Sequence, residues 1–203
     1  TAAQRLVDKH GYRRDSFAKS LKDAVSSMFN WDRKMLEGDT KESRAWREQP
    51  DAFWSKQFGK DVTPRWVLQY FGTEVMRGQM YGAIWVDSCL GRYDGKDTVI
   101  SDTIFPNEVN QIRARGGKII RVKKGEDPEW FVNYVEGNIT PKDVHSSEYV
   151  WARSEFDHVI ENNGTIDDLY EKIDDLIISN EIARSPSKPA GTGKPLAIGA
   201  NSF

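Results

Sequence analysis

The stretch from Thr98 to Val122, TVISDTIFPNEVNQIRARGGKIIRV, holds a strand, a loop, a helix, a turn and a second strand in one continuous run. Val99 and Ile100 are β-branched and apolar and lead into Ser101 and Asp102, so a buried strand ends on a carboxylate. The carboxyl ends of strands are where open α/β sheets collect ligands and chemistry. Pro106 opens the helix where its missing N–H costs nothing, Val109, Ile112 and Ala114 give it an apolar face, and Gly116-Gly117 end it. Ile119, Ile120 and Val122 make the next strand. A helical crossover of this length predicts a parallel pair with a right-handed connection, and hence an α/β domain.

A chain of 203 residues can bury one core and is short for two independent catalytic domains, which predicts one domain with an appendage. The 29 basic and 31 acidic residues nearly cancel, so no global field draws the protein to nucleic acid or to an anionic membrane. Any anionic ligand must be held by a local cluster. Cys89 is the only cysteine, which excludes an intramolecular disulfide and a multi-cysteine metal site and fits a reducing compartment, with Cys89 as a small buried hydrophobe. No run of about 18 apolar residues occurs, and the first residues lack a signal-type apolar core, so the expectation is a soluble, cytoplasmic protein.

Helical spacing predicts helices over Ala2 to Lys9 and Phe17 to Phe29, with a short extended piece from Tyr12 to Ser16 between them. Residues 31–61 are rich in charge and tryptophan with poor periodicity, which reads as short helices and loops. Thr63-Pro64 is an N-cap followed by proline at the first helical position; this helix runs to Gly72, a second follows from Thr73, and another spans Ala83 to Leu90. Gly125 to Glu148 is polar and turn-rich, as suits a mobile cover. Asp157 to Glu161 is a short strand, Asn162-Asn163-Gly164 a turn, and Thr165 the cap of a helix to Ile178. Residues 185–195 have linker composition, and Leu196 to Ile198 read as an apolar strand running into Gly199.

The pattern SD-x-x-x-P-N-E, a helix and then G-G-K-I-I-R-V resembles the bacteriophage deoxynucleoside monophosphate kinases, a branch of the P-loop kinase fold. SFAKSLKDAV from Ser16, PRWVLQYFGTEVMR from Pro64 with Trp85, HSSE from His145 and FDHVIENNGTIDDLYEKID from Phe156 match further segments in the same order, covering roughly residues 1–178. The resemblance implies a parallel sheet of the P-loop NTPase type flanked by helices. Residues 31–95 would be a helical substrate-binding insertion and residues 123–150 a mobile lid. It implies transfer of the γ-phosphoryl group of ATP to a deoxynucleoside monophosphate, with magnesium and in the infected host's cytoplasm if phage-encoded. Monomer and homodimer both stay open, as does the base preference. Two other readings compete: a noncatalytic nucleotide-binding or assembly protein that kept the fold, and a P-loop kinase for another small acceptor such as a dephospho-cofactor.

Kinases of this fold begin with a strand and the loop G-x-x-x-x-G-K-[ST], whose N–H groups cradle phosphate. Thr1 stands where the family places the last residue of that loop, and Leu196 to Gly199 read as its strand and first glycine. The expectation is a permuted or incomplete chain order, with Gly199 and Thr1 binding ATP; a C-terminal tail outside the sheet is the alternative. The G-T-G-K from Gly191 to Lys194 is a false match, with Lys188 where the earlier glycine is needed and Pro195 in place of the hydroxyl.

Phosphoryl transfer needs positive charge around the moving phosphate and magnesium across its oxygens. By family position, Arg65 and Arg77 would clamp the acceptor phosphate, with Lys22 a further contact and Gln69 and Glu74 reading base or sugar. Asp102 would hold magnesium through water or bind the acceptor, or else cap its own loop, with Thr1 the second metal residue. Family members often carry an arginine two residues after this aspartate, where this chain has Ile104. Lys124 falls where the lid begins with a basic residue, and Asn162, Asn163 and Gly164 fall where the adenine is received. Three histidines with no paired Cys or His argue against zinc, leaving His145 to order the cover. The seven tryptophans invite base stacking on nucleic acid, against which the neutral charge weighs.

Overall fold

The computed structural model describes residues 2–137, 140 and 144–179, and the backbone of 195–200. It divides into two compact units, residues 1–16 with 92–203, and residues 17–91. The first is built on a five-stranded parallel sheet of β1 (Arg13–Asp15), β2 (Thr98–Ile100), β3 (Lys118–Lys123), β4 (His158–Glu161) and β5 (Pro195–Ala200), in the order β1-β2-β5-β3-β4. The α/β class read from the sequence is therefore found. Leu196 to Ile198 lie inside the sheet: Leu196 is in register with Val99 on one side and Lys118 on the other, and Ile198 with Ile120.

Two helices cover one face of that sheet. Leu6 of α1 (Ala2–His10) and Leu169, Ile173 and Ile177 of α9 (Ile166–Ile178) pack on Val99, Ile120, Val122 and Ile160 in one core. The spacing in α9 is helical and that in β3 alternates, which is why one stripe meets one face. α1 and α9 are also tied by charge. The Asp174 carboxylate, about 10% exposed, accepts from Arg5 (2.7 Å), Lys9 (2.6 Å) and His10 Nε2 (2.6 Å). The Arg5 hydrogen bond, foremost, holds that carboxyl well below the usual carboxylate range. α7 (Pro106–Ala114) packs on β3 and β5 and ends, as expected, at Gly116 with φ of 73°.

The segment after β3 departs from the polar, turn-rich expectation. It contains α8 (Glu129–Val135), whose Phe131 and Tyr134 bury with Ala152 against Trp130, Tyr149 and Trp151. The apolar stretch WFVNYV supplied that signal, and the flanking polar residues masked it. Arg121 of β3 lies beneath this cluster, ion-paired to Asp127 and 4.2 Å from the Phe131 ring centroid, while Arg153 donates twice to the Tyr134 carbonyl. His145 caps the short turn that follows, accepting from Ser147 N.

The second unit is helical: α2 (Lys19–Phe29), α3 (Lys41–Arg47), α4 (Ala52–Phe58), α5 (Pro64–Gln69), a π-helical continuation over Tyr70–Met80, and α6 (Ile84–Leu90). Thr63 caps α5 by accepting from Trp66 N (3.0 Å) ahead of Pro64, as the sequence predicts. Gly72 does not end this helix. It is buried inside the continuous run, where Leu21 packs on its bare Cα and Trp85 Nε1 donates to its carbonyl at 2.9 Å. Glycine here answers to close approach rather than to termination. Two of this unit's tryptophans serve packing: Trp31 stacks on Phe29 (4.6 Å) and donates to Asp51, the residue that caps α4, and Trp54 donates to the Phe29 carbonyl.

Candidate functional site

Because all five strands are parallel, their carboxyl ends fall on one edge of the sheet. Asp102 leaves β2 there, and its Oδ2 accepts from the Ser16 hydroxyl at 2.6 Å. Ser16 follows β1, whose last residue, buried Asp15, accepts from Ser16 N (2.8 Å) and from Arg92 (2.9 Å); Arg92 also donates to the Ser16 carbonyl. The Asp102 loop is shaped by Glu108, a buried carboxylate that accepts from Ile104 N (2.7 Å) and Phe105 N (3.0 Å). The glutamate of the P-N-E run thus satisfies the donors ahead of α7 and holds the turn carrying Asp102.

Gly199 lies in the central strand, in register with Arg121. Thr1 lies outside the described residues, as do Gly191 to Lys194. Lys124 is exposed, following Lys123, which pairs with Glu161 at 3.2 Å. Asn162 N donates to the Lys123 carbonyl (2.7 Å), and Asn163 Oδ1 accepts from Gly125 N (2.6 Å) and its Nδ2 donates to Glu161, so this turn stitches the ends of β3 and β4 together. The Asp168 carboxylate folds back on Thr165 N against Gly164, where a Cβ would collide with it: Gly164 serves the cap of α9.

In the helical unit, Lys22 is mostly buried and donates to Glu37 at 2.6 Å, an acceptor it shares with Arg33. Burial alone would raise the Glu37 carboxyl, but hydrogen bonds from Lys22 and Arg33 outweigh it and hold it below its ordinary value. Arg65 donates to Glu48 at 3.1 Å and Arg77 to the Gly82 carbonyl at 3.4 Å. Gln69 ends α5, half-buried, and Glu74 is exposed on the π-helical run. Lys22 is thus drawn into a local charge cluster, while Arg65 and Arg77 make separate contacts.

Sequence reasoning missed Ser16, Asp15 and Arg92, whose contacts arise only when β1 and β2 pair. The signal for Ser16 was its place directly after a short strand. Asp102 offers its carboxylate next to the Ser16 hydroxyl, and the following residue, Thr103, has an Oγ1 that is enclosed without a hydrogen-bond partner. Such a set suits a hard cation that keeps water in its shell, such as magnesium, and among the described residues no group of three His, Cys, Asp or Glu offers an all-protein cage. No helix among the described residues is long and apolar enough to cross a membrane.

The family model described as deoxynucleotide monophosphate kinase matches residues 53–173. A protein of Acanthamoeba polyphaga mimivirus named "Putative deoxynucleotide monophosphate kinase" is 30% identical over 189 residues, 85% of this chain and 86% of the viral protein. No solved structure matches the chain significantly.

Proposed function

Since the chain belongs to the deoxynucleotide monophosphate kinase family, we propose that it transfers the γ-phosphoryl group of ATP to a deoxynucleoside monophosphate, giving the diphosphate and ADP. The observation that supports this best is Asp102 at the carboxyl edge of a parallel sheet, oriented by the Ser16 hydroxyl on a loop that Glu108 shapes. An acceptor phosphate oxygen attacks the γ-phosphorus as the bond to the β,γ-bridging oxygen breaks, and ADP takes the electron pair. Protein groups serve this chemistry by positioning and by charge.

The roles divide by unit. In the α/β unit Gly199 brings small-residue backbone toward the ATP phosphates, the turn of Asn162, Asn163 and Gly164 receives the adenine, and Lys124 supplies positive charge to the moving group. Asp102 would hold magnesium or orient the acceptor. Magnesium, when bound, neutralises phosphate charge. In the helical unit Arg65 and Lys22 hold the acceptor, Gln69 and Glu74 contact its base or sugar, and Arg77 stabilises transferring charge.

The test is ADP release from ATP and Mg2+ with each of the four deoxynucleoside monophosphates. Acceptor-dependent turnover supports the reading. Tight nucleotide binding with no acceptor-dependent ADP points to a noncatalytic binding protein.

A further inference from the structure

Arg47 ends α3 and forms no ion pair among the described residues, unlike Arg13, Arg92 and Arg121, whose enclosed Nε atoms belong to guanidiniums paired with carboxylates. Its Nε is fully enclosed and has no hydrogen-bond partner, whereas Arg44, one turn earlier on the same face, donates to the Gly38 and Asp39 carbonyls. The guanidinium sits flat against Gly38, where φ of 72° and the lack of a side chain leave it room; a Cβ there would collide with it. Around it the charge is lopsided. Burial, then the neighbouring Arg65 charge, lowers the Arg47 pKa; Arg44 acts in the same direction, and only Glu48 and Glu37 oppose them. Both carboxylates are shared: Glu48 accepts from Arg65, and Glu37 from Lys22 and Arg33. Arg65 reaches Glu48, the residue next to Arg47, so an unmet guanidinium donor and a second guanidinium come to the same end of α3, a site short of an anion.

We propose that Arg47 is a phosphate-binding residue for the acceptor, gripping the deoxynucleotide's monophosphate together with Arg65. The proposal rests on the kinase reading and adds a residue to it, because Arg47 lies ahead of the family-matched residues 53–173. Two guanidiniums match a phosphate monoester dianion in charge and in fork geometry. Glu48 then acts as a placeholder on Arg65, for an exposed pair at 3.1 Å, with side chains 39% and 52% exposed, is weak enough for a dianion to displace. Arg77 is a poorer partner for Arg65, being twelve residues along the same helical run, on the order of 15 Å away.

The experiment measures binding of each deoxynucleoside and of its monophosphate to the wild-type, Arg47→Gln and Arg47→Lys proteins by calorimetry, with thermal midpoints taken alongside. Arg47→Gln is expected to weaken the monophosphate by about tenfold to a hundredfold while leaving nucleoside binding and the midpoint unchanged. Wild-type protein that binds no monophosphate better than its nucleoside overturns the acceptor site and this proposal together. A wild-type preference that survives intact in Arg47→Gln overturns the proposal alone. If the Gln variant unfolds, Arg47→Lys decides: a reduced preference at a wild-type midpoint supports the bidentate role, and an unchanged preference overturns it.

Discussion

Asp102 accepts from the Ser16 hydroxyl and sits at the start of a turn whose next N–H groups, at Ile104 and Phe105, are held by Glu108. The roles separate by substitution. Asp102→Asn keeps size and removes charge, so turnover with the best acceptor should fall at least about a hundredfold while the thermal midpoint stays within a few degrees. Loss of the fold instead would mark Asp102 as a structural cap. Ser16→Ala leaves the carboxylate but frees its orientation, and a smaller loss of turnover, about tenfold, is expected from the same assay. Arg65 stands in contrast, since its ion pair to Glu48 is exposed at both partners. Arg65→Ala should therefore cost little stability, under about 1 kcal/mol by urea unfolding, and weaken acceptor turnover by about 2–4 kcal/mol.

At the scale of elements, Gly72 shows how a residue read as a stop can be a contact. The α5 helix runs on through it into the π-helical segment because Leu21 of α2 needs the missing side chain, and the Trp85 indole of α6 uses its carbonyl. Gly72→Ala would gain helix propensity but would bring a methyl within 2.6 Å of Leu21 Cδ2. Overpacking should win, by about 1–3 kcal/mol. A double-mutant cycle with Leu21→Ala checks it: the two changes should be less harmful together than the sum of each. α8 teaches the opposite lesson. Its aromatic residues close over Arg121, and its existence was hidden by the polar residues on both sides.

Across the α/β unit, α1 and α9 join residues from the two ends of the sequence through a shared core and through Asp174. The Asp174 carboxyl is held below its ordinary value, about 3.9 for an unperturbed aspartate, chiefly by Arg5. A depressed carboxyl contributes stability above that unfolded value, and the contribution is lost as pH falls toward the folded one. Asp174→Asn should cost about 2–4 kcal/mol at pH 7, since it leaves Arg5 and Lys9 without their counterion, and its stability should fall less than the wild type's between about pH 5 and pH 2. Urea unfolding at several pH values measures both.

The features legible in the residues are local: the caps at Thr63 and Thr165, the proline that opens α7, the glycine that ends it, and the alternation and helical stripes that make the sheet and its covering helices. Each depends on residues a few positions apart, so short-range sterics and hydrogen bonding suffice. Family motifs added candidate residues to those elements. Long-range packing set the rest: β5 lies between β2 and β3, Ser16 meets Asp102 across 86 positions of chain, and Arg65 reaches Glu48 next to Arg47, whose Nε is enclosed without a partner. Strand order, desolvation and unbalanced charge are properties of what surrounds a residue, and those surroundings come from distant parts of the chain.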